Sequence, residues 1–324
     1  MILTVDDDRG RLAGLFPLYR TTYGFGAAAG FQFVRPLGSD AGVTELRAPL
    51  VARGWEAAAI AAFEQYFAAR PAAWDFINGC SLPPELAAVK TRLPGRLASL
   101  NSHPPTEAFV LHLPDSWGAF AAPLKRNTKE AIRKAHNALK RDGLEPEFDV
   151  VQEPAAILAL LPRFFDLHHR RAAVKGVVPH PDVFSRRDHR AFLAGVVAGM
   201  DAEGAARMFV LRVRGEIVAL RCGFLINGAL YLYYSGFDEN YGKYSVMTRL
   251  VVEAIKWSID AGVTTISLST GRDNAKLRWS PDVVRYQNYC HVGPRWRSRA
   301  ALAAIQMLRP PTCLTTATLS AEPA

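Results

Sequence analysis

The chain has 324 residues, 49% of them apolar and 21% charged. That composition excludes a disordered or fibrous protein, and at about 150 residues per domain the length predicts two domains. Lys and Arg outnumber Asp and Glu by 39 to 30, and the resulting charge of +9 favours an anionic partner: nucleic acid, a phosphate-rich cofactor or an acidic lipid surface. No apolar run approaches the ~20 residues that cross a bilayer. The acidic start Met1-Ile2-Leu3-Thr4-Val5-Asp6-Asp7-Asp8 is unlike a signal peptide. Cys80, Cys222, Cys290 and Cys313 are scattered with no Cys-x-x-Cys pair, which argues against a zinc site or disulfide framework and fits a reducing cytoplasm.

In the first half, Asp8-Arg9-Gly10 reads as a turn before a strand over Leu12–Leu18. Gly54 precedes a helix with Ile60, Phe63 and Phe67 on one face, and Trp74–Ile77 reads as a strand. Ser102-His103-Pro104-Pro105 is a candidate boundary. Lys125–Arg141 sets seven basic residues against Glu130, and Leu124, Ala131, Ile132, Ala135 and Leu139 give it an apolar side. It reads as a basic helix linking two half-domains; the alternative is a surface for nucleic acid, anionic lipid or an acidic acceptor such as a nucleotide-sugar.

Pro154 suits a first helical turn, and Ile157, Leu161, Phe164 and His168 follow at helical spacing. Ser185 is the expected cap of a second helix carrying Phe192, Val196 and Met200. Met208–Val213, Ile217–Ile226 and Ala229–Ser235, joined through Arg214-Gly215-Glu216 and Asn227-Gly228, predict a three-stranded antiparallel meander. Arg221 lies inside the middle strand among Leu220, Cys222 and Phe224. An arginine there lies on an exposed face or points into a cleft to meet an acid or phosphate. A polar loop over Gly236–Tyr244 follows, then a helix capped by Ser245, with Leu250, Val251, Ala254, Ile255 and Ile259 buried and Gly262 as its stop. Thr264–Ser269 is a short strand, and the segment after Leu308 reads as a disordered tail. In both halves a turn and strand lead to a helix and a short strand, which suggests two related half-domains.

The junction Tyr233-Tyr234-Ser235-Gly236-Phe237-Asp238-Glu239-Asn240-Tyr241-Gly242-Lys243-Tyr244-Ser245 carries the chemistry. A helix N-terminus presents unpaired N–H groups and a partial positive charge, for which a phosphate is the natural ligand. Gly242 lets the backbone approach an anion and Lys243 adds a charge. The plain alternative is an ordinary loop before an ordinary helix.

Four stretches carry a family resemblance: Phe165-Asp166-Leu167-His168-His169-Arg170-Arg171; the hairpin ending in Tyr233-Tyr234-Ser235-Gly236-Phe237-Asp238; Tyr241-Gly242-Lys243-Tyr244-Ser245; and Gly271-x4-Lys276-x2-Trp279. Over residues 120–290 the chain resembles the GNAT-like acetyltransferases associated with bacterial cellulose and exopolysaccharide synthesis. More distantly it resembles the Fem-type peptidyltransferases, which carry two GNAT-like halves. The resemblance implies an α/β (α+β) fold: a mixed, mostly antiparallel sheet flanked by helices, in tandem halves of which the first is incomplete. The expected organisation is a GNAT-like half over 1–115, a basic linking helix over 116–145, an acyltransferase domain over 146–308 and the tail 309–324.

The resemblance further implies acetyl-CoA or another acyl-CoA as co-substrate, lying between the splayed strands Ala229–Ser235 and Thr264–Ser269. Its pyrophosphate would rest on Gly242, Lys243, Tyr244, Ser245 and Val246. Asp238 is the candidate base, with Glu239, His168 or His169 as alternatives, Tyr233 or Tyr231 the candidate proton donor to the leaving thiolate, Lys276 a candidate catalytic residue contacting the acceptor's phosphate or carbonyl, and Arg221 a candidate contact to the acceptor. Each has a plain reading beside it: a solvated loop carboxylate, a satisfied core histidine, an aromatic core, a surface lysine. The expected activity is acyl transfer to an amine or hydroxyl of a sugar or polysaccharide precursor, by a cytoplasmic enzyme using no metal and not binding nucleic acid. The alternatives are a Fem-like aminoacyl transferase using charged tRNA and a non-catalytic degenerate module in polysaccharide assembly.

Overall fold

The computed structural model describes residues 1–24, 30–39, 42–92, 97, 99–100, 104–174, 180–200 and 204–308. The chain forms two compact units, one of Met1–Glu107 with the segment from Val284 onward, the other of Ala108–Val283. This corrects the expected division in two respects. The basic helix lies within the second unit rather than linking two domains, and the chain returns to the first unit after residue 283. The expected tail, 309–324, lies outside the described residues, as do Ser102 and His103.

In the first unit β1 (Ile2–Asp6) and β2 (Leu12–Tyr23) form an antiparallel hairpin through Gly10; the turn and the strand after it were expected, β1 was not. β2 also pairs with β3 (Phe31–Pro36) and the short β4 (Leu50–Val51). Gly54, at φ 86°, leads into α1 (Glu56–Ala68), which buries Ile60, Phe63 and Phe67 as its spacing predicts. β5 (Phe76–Leu82) runs parallel to β3, and α2 (Pro84–Arg92) and β6 (Ser99–Leu100) follow. The last strand, β13 (Asp282–Val292), pairs with β5 and β6 ahead of α9 (Trp296–Leu308). Asp75, fully buried, accepts bonds from the Gln32 amide (2.8 Å), Ser298 Oγ (2.6 Å) and Arg295 Nη2 (2.8 Å). A buried carboxylate is tolerable only when so paired.

The second unit opens with β7 (Thr106–His112), α3 (Trp117–Ala121) and α4 (Arg126–Arg141). Then come β8 (Pro146–Val151), α5 (Pro154–Ala173), α6 (Arg187–Gly199), β9 (Ala206–Val213), β10 (Glu216–Ile226) and β11 (Ala229–Phe237). α7 (Val246–Asp260), β12 (Thr265–Thr270) and α8 (Asn274–Leu277) complete it. Its sheet runs β7-β12-β11-β10-β9-β8, antiparallel throughout except for β11 and β12. The meander is as expected, extended by β8. α5 buries Ile157, Leu161, Phe164 and His168 against the sheet, and α7 buries Leu250, Val251, Ala254 and Ile255.

α6 presents a different face from the one expected. Leu193 and Val197 are its buried residues, and Phe192 is 44% exposed. Ser185 is not its cap, since its hydroxyl donates to the Asp182 carbonyl one turn earlier. Ser245 holds the cap position of α7 but its side chain accepts no capping bond; its φ is 53°, in the left-handed region. The expected loop 236–244 is instead the end of β11 followed by a 3-10 turn over Glu239–Tyr244.

Candidate active site

β11 and β12 are hydrogen-bonded in register only from Ala229 and Thr265 to Tyr231 and Ser267. Beyond that point they part, though both strands continue. The parting coincides with a bulge. On β10, Gly223 faces Leu232 and Arg221 faces Ser235, so Tyr233 and Tyr234 together oppose the single Cys222. A bulge leaves one residue unpaired in the ladder and re-aims its neighbours. Tyr233 is nearly buried, its ring 4.5 Å from that of Tyr234 and 5.8 Å from Phe224.

α5 crosses the bulged end of β11 at very close range. A Cβ on Gly236 would lie 2.4 Å from the His168 nitrogen and 2.5 Å from the Leu167 carbonyl carbon. Only glycine permits that approach. It lets His168 Nδ1 bond the Ser235 carbonyl (3.0 Å) and Arg171 Nη1 donate to Ser235 Oγ (2.6 Å). Arg221 is the cross-strand partner of Ser235 and so shares its face of the sheet. His180 stacks edge-on against His168 at 5.1 Å. Burial first, then the Arg171 charge, hold the His180 imidazole down at about 4. Burial likewise lowers His168, against the opposing pull of its bond to Ser235. Both rings are therefore neutral at pH 7. Their Nε2 atoms are buried with no hydrogen-bond partner.

Two expected catalytic groups have other work. Asp238 caps the 3-10 turn: its Oδ1 accepts from the Asn240 amide (3.0 Å) and Nδ2 (2.9 Å), while Oδ2 accepts from Arg170 Nη1 (3.2 Å). With both oxygens engaged it is not placed as a free base. Lys276 donates to the carbonyls of Thr270 and Gly271 and lies 3.4 Å from Asp273 Oδ2. It fixes the turn after β12 and leaves a positive charge there, rather than reaching out to an acceptor. His168, fully buried among Phe164, Phe184, His180 and Tyr234, is sealed from any substrate that does not displace them. His169 is exposed and paired with Asp182 at 2.7 Å.

At the start of α7 Gly242, Lys243 and Ser245 are exposed, the Ser245 amide donating to the Gly242 carbonyl (3.0 Å), while Tyr244 and Val246 are buried. Tyr244 donates from its hydroxyl to Asp142 Oδ2 at 2.9 Å. Neither side chain is therefore open for the expected binding role. Gly242 has no left-handed φ, and the nearest atom to an added Cβ is 3.9 Å away, so its conformation does not demand glycine. A residue in αL after a helical one forms a concavity of converging N–H groups suited to an anion. Ser245 occupies that position, the first two amides of α7 have no partner within the helix, its first turn holds no acid, and Lys243 stands just before it.

Arg171, His180 and Asp273 went unassigned in the sequence. His180 sits between prolines in a stretch to which the sequence assigned no element, and its proximity to α5 is a property of the fold.

Residues 126–277 match the acetyltransferase (GNAT) domain family. The chain carries a GNAT domain. Its meander, parting parallel strands and following helix are the strand order that the resemblance implied. Among solved structures, FemX is similar at 8% identity over 94% of this chain and 90% of its own, with a TM-score of 0.63. L-PGS from Bacillus licheniformis is similar at 15% identity over 94% and 88%, with a TM-score of 0.54. A C-terminal (DUF2156) domain from Agrobacterium fabrum, described as that of a lysylphosphatidylglycerol synthetase, is similar at 15% identity over 95% and 88%, with a TM-score of 0.53. At these identities the likeness is one of fold. No curated protein sequence matches the chain significantly. No helix among the described residues is long and apolar enough to cross a membrane.

Proposed function

We propose that the GNAT domain moves an acyl group from acyl-CoA to a hydroxyl or neutral amine of an acceptor that also carries an acidic group, a saccharide or nucleotide-sugar being the class with both features. The observation that supports it best is the parting of β11 from β12 after three residue pairs, with the anion-suited start of α7 directly downstream. A diphosphate fits the first two amides of α7, those of Val246 and Met247, beside Lys243. Acyl-CoA, when bound there, would supply the activated thioester.

The chain's own residues divide the remaining work. A backbone N–H where β11 parts from β12 is the donor for the developing oxyanion. His180 accepts the acceptor's hydroxyl proton as the new C–O bond forms, and Tyr233 gives a proton to the departing sulfur. An imidazole held at about 4 is a poor base for an alkylammonium ion. The Arg171 charge beside it repels a cation as well. A neutral nucleophile on an anionic molecule fits both constraints, with Arg171 and Arg221 facing the acidic group.

The test is thiol release from acetyl-CoA with paired acceptors, the same sugar with and without a phosphate. Faster release with the phosphorylated sugar, falling about 10²–10⁴-fold in His180→Gln, supports the reading. Equal rates with both sugars contradict it. The exposed basic face of α4, with Lys129, Arg133, Lys134 and Arg141, favours a second reading in which the donor is charged tRNA. Transfer from aminoacyl-tRNA without CoA would select it.

A further inference from the structure

The first unit repeats the strand–helix–strand unit of the GNAT domain in β3, α1 and β5. Its parallel strands pair only through Phe33 with Phe76 and Val34 with Ile77, and then part. Where they part there is a cavity of about 220 Å³, lined by Leu18, Leu37, Phe63, Ile77, Leu82 and Tyr289. That exceeds the roughly 150 Å³ of an apolar cavity known to take up benzene. The Tyr289 ring lies over Gly79, where a Cβ would fall 1.9 Å from it, so glycine keeps this wall in place. Arg47 lines the cavity; its Nη1 donates to the Ser39 carbonyl at 3.0 Å, and its Nε is buried with no partner. Asn78 and Thr44 also line it. A diphosphate does not suit this half, because Glu56 occupies the first turn of α1.

We propose that this cavity binds an amphiphile, an unbranched acyl chain lying among the apolar residues with its carboxylate or phosphate against Arg47. The apolar walls repay burial of the chain, and an anion answers the unpartnered guanidinium N–H. The site goes beyond the proposed transfer reaction and does not depend on it. The chain's source is a free fatty acid or a phospholipid.

Calorimetric titration of the whole protein with monomeric dodecanoate, below its micellar concentration, tests the assignment. Dodecyltrimethylammonium serves as the charge-reversed probe. Dodecanoate is expected to bind, and the cation at least roughly tenfold more weakly, as the charge-assisted bond requires. Arg47→Gln should weaken dodecanoate by a similar factor and leave dodecanol unchanged. Ala48→Trp, on the lining loop, should block all chain probes while its melting curve reports that it folds. Competition by phosphatidylglycerol vesicles assigns the chain to a lipid, and its absence assigns it to a free acid. No dodecanoate binding, equal binding of the cation, or binding undiminished in Ala48→Trp overturns the proposal. CoA titration of the same variants shows separately whether the GNAT domain is intact.

Discussion

The rings of His168 and His180 meet at 5.1 Å beneath Tyr234 and Phe184, and both are held neutral by burial. The consequence for stability has a definite sign. As pH falls below about 6.5 the unfolded chain takes up protons that the folded chain refuses, so stability falls. The decline from His180 continues to about pH 4, where the folded ring itself protonates. His180→Gln removes one of the two groups. Its urea midpoint should depend less steeply on pH between 7 and 4 than that of the wild type, and coincident slopes would contradict the assignment. Residue type announced which side chains matter here, but partners decided their roles. Asp238 sits where a base was expected, yet Asn240 and Arg170 occupy its oxygens. Nothing in the order of residues reveals that both lone-pair sets are taken.

α5 and β11 touch through Gly236, a contact that a methyl group would destroy. Its neighbours there are backbone atoms, which cannot rotate aside as a side chain can. Gly236→Ala should cost about 1–3 kcal/mol or more in denaturant unfolding. Gly242→Ala, exposed and unstrained, should stay within about 0.5 kcal/mol of wild type; equal losses at the two glycines would contradict this account. The elements of the meander and the helices beside it were legible, whereas β1, β3, β7, β8 and β13 were not read. Ile157, Leu161, Phe164 and His168 mark the face that α5 buries, as their helical spacing predicts. α6 misled because Phe192-Leu193 and Val196-Val197 are adjacent apolar pairs, so two stripes fit equally and only the packing partner chooses. The bulge at Tyr233–Tyr234 was illegible for another reason: it belongs to the pairing of two strands, and one strand read alone does not show it.

Each unit builds a parallel pair of strands joined through a helix and then lets the strands part, once at β3 and β5 and once at β11 and β12. The echo expected between the halves began from the strand over Leu12–Leu18, whereas the strand that repeats the unit is β3, which was not read; the return of the chain through β13 into the first unit had no local signal. That return is held by the Asp75 cluster with Arg295, Arg297 and Ser298. Asp75→Ala leaves two arginines facing a vacated pocket and should destabilise the protein by about 3 kcal/mol; a melting temperature unchanged from wild type would argue against that role. For the GNAT domain the account rests on an anion gripped at the start of α7. Calorimetric titration of coenzyme A into wild type and Lys243→Ala tests this most directly. The account predicts binding by the wild type, weakened several-fold in the variant at low salt with its melting curve unchanged. No CoA binding by the wild type, or equal affinity in both proteins, would contradict it.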